Sequence, residues 1–279
     1  MQENPMLTMI REVCALGRAE FARPHTPDGD DAAQRELVRG MTADDPDGQP
    51  SDIKLSLDLL APRAPYFDQG VLDAIATGHR QIVNVGAGYD DRALRFRHPE
   101  VTYFELDLPH IINDKQRRLA AMGADTSKLS LIPADLHTDN AADLLAGAHH
   151  DASRPSLFLG EHLLLFLDPD DVARLLDALS RRAAPGSTLA ITAEVHPAGL
   201  DSPHVVDTVD EVMFGGAGPL RTIKSRDAWL TLLQGTGWKV DNTDEVTAVN
   251  HFELPVDGQP MLIQTQFLTA TAQPRHTAG

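Results

Sequence analysis

The chain has 279 residues, 42% of them hydrophobic, and a formal net charge of −17 from 24 Lys and Arg against 41 Asp and Glu. That length accommodates one large α/β core with additions, and the acidic balance argues against nucleic acid, since neutralising phosphates takes clustered Lys and Arg. Cys14 is the single cysteine, no apolar run is long enough to cross a bilayer, and residues 1–20 lack the basic start and apolar core of a signal peptide, so the expectation is a soluble cytoplasmic protein without an internal disulfide, acting on a small molecule.

Residues 5–21 place Met6, Ile10, Val13, Cys14, Gly17 and Phe21 at helical spacing, which predicts an amphipathic helix ended by Pro24. Residues 25–51 are rich in Asp, Pro and Gly around a short helix at 32–41, and read as a solvated linker or as a lid that orders on ligand binding. Apolar character resumes at Ser51–Leu60, a stretch that includes Lys54. Arg63 follows, then a helix with Val71, Leu72 and Ile75 that stops at Gly78. Domain boundaries are expected at 1–60 for an N-terminal helical lid, 61–272 for the main domain and 273–279 for a disordered tail.

The stretch that organises the chain is Arg80–Pro109. Gln81–Val85 is a short apolar run ending in Gly86-Ala87-Gly88. It is followed by Tyr89-Asp90-Asp91-Arg92, a helical stretch, and a second run, Val101–Leu106, with Glu105 and Asp107 at its end. Glycines after a buried strand let the backbone turn approach a ligand, and carboxylates at the tip of the second strand accept hydrogen bonds from ribose hydroxyls in doubly wound sheets. A dinucleotide fingerprint requires a third glycine where this chain has Asp91, and a pyrophosphate would be repelled by Asp90 and Asp91. The turn therefore suits a cationic or zwitterionic ligand such as S-adenosyl-L-methionine. Taken alone, the two glycines fit an ordinary strand-to-helix turn equally well.

Further along, a helix is predicted over Pro109–Met122 and a third strand over Ser130–Pro133, with Asp135 and Leu136 beyond it at the expected adenine edge. An Asx turn is the plainer reading of Asp135. The fourth strand, Pro155–Gly160, carries Glu161 and His162 at its carboxyl end, where the chain order of such sheets reverses. His162 is a candidate general base, although a histidine there is commonly a structural hydrogen-bonder. A helix over 169–184 and a fifth strand over 187–193 follow. The segment from Glu194 to Thr222, with His196 near its start, reads as an irregular substrate cap. Arg226–Leu233 reads as a helix, Gly237–Val240 as a sixth strand, His251–Gln259 as a turn, and 260–270 as a last strand pairing antiparallel with the sixth.

Taken together, Arg63–Asp68, RQIVNVGAGYDDRALR at 80–95, FELDLP at 104–109, PADL at 133–136, FLGEHLLLFL at 158–167, APGS at 184–187 and TGW at 236–238 resemble the leucine carboxyl methyltransferase-like family. The family includes bacterial enzymes that O-methylate carboxyls of polyketides and other natural products, and eukaryotic protein-phosphatase methyltransferases. The resemblance implies a class I, Rossmann-like doubly wound sheet, mostly parallel with an antiparallel last strand, that uses S-adenosyl-L-methionine. It further implies that Arg63 holds the cofactor carboxylate, with Lys54 as a possible companion, that Gly86 and the neighbouring Gly88 form the floor, and that Asp107 binds ribose beside Glu105. Asp135 and Leu136 would frame the adenine, and Glu161 would sit near the cofactor amino group. The bacterial Ala-Glu-Gly becomes Gly160-Glu161-His162 here, bringing a titratable ring close to the transfer site. The expected activity is methyl transfer to a carboxylate of a small natural-product acceptor. The alternatives are a phenol or other acceptor with His162 or His196 as base, and a non-catalytic regulatory protein that binds the cofactor.

Overall fold

The computed structural model describes residues 4–44, 53–200, 202–216, 218–241, 248–256 and 259–274. Helix α1 (Pro5–Ala19) begins where the Asn4 side chain accepts from the Met6 amide and Pro5 supplies the first turn. Residues 25–44 read as linker or lid, but as far as 44 they are docked. The Thr26 hydroxyl donates to the Arg97 carbonyl, the short α2 (Ala33–Leu37) packs on the core, and the Gln34 amide donates to the carbonyls of Ala15 and Tyr89. Helix α3 (Ile53–Ala76) crosses residue 60 without a break, contains Pro62 and Pro65, and carries Arg63.

The sheet order is β3-β2-β1-β4-β5-β9-β7. Its parallel half comprises β1 (Gln81–Val85), β2 (Thr102–Asp107), β3 (Leu129–Pro133), β4 (Ser156–Gly160) and β5 (Thr188–His196). Strands β1 and β4 are buried throughout, which explains continuous apolar runs in place of alternation. Helices α4 (Arg92–Arg95), α5 (Pro109–Met122), α6 (Ala141–Gly147) and α7 (Pro169–Arg181) connect these strands. The long β9 (Gln259–Ala272) runs antiparallel between β5 and β7 (Trp238–Val240), the pairing expected from sequence.

Two readings need correction. Residues 251–259 are not simply a turn, because β8 (Ala248–Val256) pairs antiparallel with β9 as a hairpin. The segment after Glu194 is not irregular either. Strand β5 continues to His196, helix α8 (Ser202–Phe214) follows, and its Val205, Val206 and Val209 form a cluster with Leu165, Leu220 and Ile263. Three valines at helical spacing, 205, 206 and 209, are the signal the sequence offers. Two-residue β6 (Lys224–Ser225) then pairs parallel with β5 and leads into α9 (Arg226–Gly235), whose buried Trp229 donates to the Glu194 carbonyl at 2.9 Å. None of the described helices is long and apolar enough to cross a membrane.

Candidate active site

Strand order reverses between β1 and β4, and a cleft of about 180 Å³ opens there, outside the carboxyl ends of β1 to β4. Its floor is Gly86–Tyr89, one wall is Asp107–Leu108 with Ala134–His137, and the other is Glu161–Leu163 with Phe166 and Leu167. Helix α1 roofs it with Leu7, Ile10, Arg11, Cys14, Ala15 and Arg18. Gly86 and Gly88 have φ of +66° and +50°. The positive φ favours glycine at Gly86, and a Cβ there would lie 2.8 Å from Leu163 Cδ1, so that side chain would have to shift.

Asp107 fixes this floor. Its Oδ2 accepts from the Gly88 amide and its Oδ1 from the Leu108 amide, both at 2.7 Å, which leaves each oxygen further acceptor capacity beside the cleft. Asp135 also lines the cleft, but its Oδ1 accepts from the His137 amide at 3.0 Å in the Asx turn that is the plainer reading of its sequence. Leu136 lies beside it. Glu105 is absent from the lining. It is buried two residues short of the strand tip, accepting from Lys115 Nζ at 2.5 Å, and burial pushes its carboxyl up to about 7 against the pull of Lys115.

At the other end of the cleft, Glu161 is held by three guanidiniums. Arg18 Nη2 and Arg63 Nε each donate to Oε1 at 2.9 Å, and Arg92 Nη1 donates to Oε2 at 2.6 Å. Burial opposes the ionised form, but Arg18, Arg92 and Arg63 outweigh it and hold the Glu161 carboxyl well below the usual range. The pairs extend inward: Arg92 to Asp90 and Asp68, Arg23 to Asp68 and Asp91, and Arg95 to Asp91. These are five guanidiniums against four carboxylates, and the Nε of Arg18 is buried without a partner. That surplus of positive charge suits a ligand carboxylate. Arg18 and Arg92 carry no sequence signal of a site, because the residues they meet lie 143 and 69 positions away.

The same pairs correct an electrostatic expectation. Asp90 and Asp91 do not face the cleft and are already paired with arginines, so they would not repel a pyrophosphate.

His162 lines the cleft at a φ of 53°, a left-handed position uncommon outside glycine, with its amide donating to Thr192 Oγ1 at 2.8 Å. His196 does not join it. The His196 ring is buried at the end of β5, Nδ1 2.7 Å from the Pro197 carbonyl, and it is absent from the cleft lining. The structure thus brings Arg63, Gly86, Gly88, Asp107, Asp135, Leu136, Glu161 and His162 around one cleft. The side chain of Lys54 lies outside the described residues.

A glycine floor, an acid at the tip of β2, a cationic end and an antiparallel last strand together define a class I S-adenosyl-L-methionine-dependent methyltransferase. The leucine carboxyl methyltransferase family profile matches residues 19–180, more than half of the chain. A Mycobacterium tuberculosis protein whose name assigns it to the S-adenosyl-L-methionine-dependent methyltransferases is 36% identical over 213 residues, covering 70% of this chain and 68% of that protein. A Mycolicibacterium gilvum protein named in the same way is 31% identical over 249 residues, covering 81% and 76%. Among solved structures, the N-terminal domain of EvdMO1 in the presence of SAH and D-fucose superimposes with a TM-score of 0.49 at 15% identity, over 74% of this chain and 82% of that one. The chain belongs to the leucine carboxyl methyltransferase family, and its cofactor is S-adenosyl-L-methionine.

Proposed function

We propose that the chain is an O-methyltransferase whose acceptor is a small oxygen acid that attacks as its anion, a carboxylic acid in the first instance. The supporting observation is the cleft itself. Its surplus of positive charge, around Arg18 and Arg63, suits the cofactor carboxylate, its β2 edge presents Asp107 to the ribose, and His162 lines it beside Glu161. Bound cofactor supplies an electrophilic methyl on a sulfonium. Arg63 and Arg18 bind and orient at one end, Asp107 fixes the glycine floor, and α1 roofs the cleft and excludes water.

A carboxylate is ionised at neutral pH and needs no base, so positioning and desolvation carry the rate, and positioning alone can offset roughly 7–11 kcal/mol of barrier. A second reading, a phenol or other hydroxyl acceptor, is favoured by the presence of His162 among the residues lining the cleft. The test is transfer of labelled methyl from S-adenosyl-L-methionine to a panel of small aromatic and aliphatic carboxylic acids and phenols. Methyl ester or methyl ether formation supports the reading. Transfer confined to amines, or cofactor binding without transfer to any acceptor, overturns it.

A further inference from the structure

Behind His162 lies a group that neither the family match nor the sequence motifs bring into the site. Glu194 is on β5, in register with Thr265 of the antiparallel β9, and its carbonyl accepts from the Trp229 indole. Its Oε1 stands 3.8 Å from His162 Nδ1 and accepts from the Thr265 hydroxyl at 3.4 Å. Two atoms of this pair are buried without any hydrogen-bond partner, His162 Nδ1 and Glu194 Oε2. Buried unpaired polar atoms cost about 1–3 kcal/mol each, so a pair that leaves one on each partner, with Nδ1 standing 3.8 Å from the Thr265-bonded Oε1, is a feature to be explained. A closure of less than 1 Å would convert the contact into a hydrogen bond, and catalytic contacts are commonly longer before substrates bind.

We propose that Glu194 is the positioning residue that fixes His162 as a general base, and that this pair fits the cleft for acceptors that must lose a proton, of the phenol class, among the oxygen acids proposed above. With Nδ1–H directed at Glu194, His162 keeps Nε2 as the lone pair available to the cleft. The acceptor O–H proton passes to Nε2, the freed oxygen pair forms the bond to the methyl carbon, and the electron pair of the carbon–sulfur bond remains on sulfur. The Phe166 ring, edge-on to His162 with centroids 5.4 Å apart, limits the ring's other orientations. The charged groups near the pair are Arg63 from α3 and Glu161 from the end of β4, and the β9 side offers the Thr265 hydroxyl. Burial pushes the Glu194 carboxyl up to about 7, opposed by Arg63, while burial and Arg63 push His162 down to about 3. The ring is therefore neutral while Glu194 is protonated, and as pH rises through about 7 the ionised Glu194 carboxylate both orients it and, by its charge, raises its basicity toward the range a general base needs.

The inference rests on the O-methyltransferase reading for its chemistry, but its geometry is testable without any acceptor. Nitrogen-15 spectra of the full chain with S-adenosylhomocysteine bound, with the His162 signals assigned by His162→Gln, should show the Nδ1–H tautomer above pH 7. Glu194→Gln should abolish that preference while cofactor binding is retained. In the transfer assay, a phenol of ordinary pKa near 10 and a benzoic acid of similar size are compared. Glu194→Gln should lower phenol methylation by about 100-fold and flatten its rise with pH, leaving benzoate transfer within about threefold. An unchanged His162 tautomer in Glu194→Gln overturns the proposal, as does an equal loss for both acceptors. If neither acceptor is methylated, the spectra still decide the role of Glu194, and only the acceptor reading falls.

Discussion

Asp107 holds the glycine turn and faces the cleft with one carboxylate, so its loss should be felt twice, in the floor's shape and in the ligand's hydrogen bonds. A hydrogen bond to a charged group contributes about 1.5–3 kcal/mol, so Asp107→Ala should weaken S-adenosylhomocysteine binding by about 10- to 100-fold in calorimetric titration. Asp107 was legible because a strand tip is a position that sequence can mark. Glu105 reads from sequence as a companion acid to Asp107, but the structure keeps it out of the cleft lining. It sits two residues back, about 6.6 Å along the strand, which places it under α5 beside Lys115. Glu194 left no mark, since its meaning depends on His162 reaching it across from β4, a contact that only strand order creates. Burial of Glu194 has its own signature. Its folded pKa lies near 7, above the ordinary 4.5, so the stability it contributes is full below 4.5 and is lost as pH rises through 7, a change on the order of 3 kcal/mol. The gap in unfolding free energy between wild type and Glu194→Gln should shift against wild type from pH 5 to pH 8 in urea titrations.

At the level of elements, the connection after α1 is fastened by Arg23. Its Nε and Nη2 grip Asp68 of α3 at 2.7 and 2.8 Å, and its Nη1 meets Asp91 at 2.6 Å, all of it buried. Asp68 keeps Arg92 and Asp91 keeps Arg95, so Arg23→Ala strands neither carboxylate but loses buried charged hydrogen bonds, and should cost about 1.5–3 kcal/mol in urea unfolding. Arg39, on an exposed pair with Glu36, is the control, and Arg39→Ala should cost less than about 1 kcal/mol. The Asp, Pro and Gly content of residues 25–44 suggested solvent exposure because composition reports average polarity. Thr26 and Gln34 instead satisfy specific carbonyls, which no average records. By contrast α5, spanning 109–122, and the parallel strands were readable from apolar runs and turn residues, whose signals are local.

For the molecule as a whole, the arginine cluster sets the acid limit. Asp90 has a folded pKa near 2 against an ordinary 3.8, since Arg92 and Arg18 outweigh its burial. The stability it contributes is present above 3.8 and is lost as pH falls through 2. Glu161 acts in the same sense, and the guanidiniums stay charged throughout. Circular dichroism between pH 5 and pH 2 should therefore show unfolding that begins below about 4 and moves to higher pH in Asp90→Asn.

The central place of β9 has a consequence during synthesis. Among the described residues, β5 takes its neighbour on that side from residues 264–271, and β7 joins the sheet through β9. While the ribosome is still making the preceding stretch, the parallel half can already form around β1 and β4, yet the long β5 presents an unpaired margin. Nascent chains halted before residue 259 should be retained by chaperones, and those released beyond 272 should not.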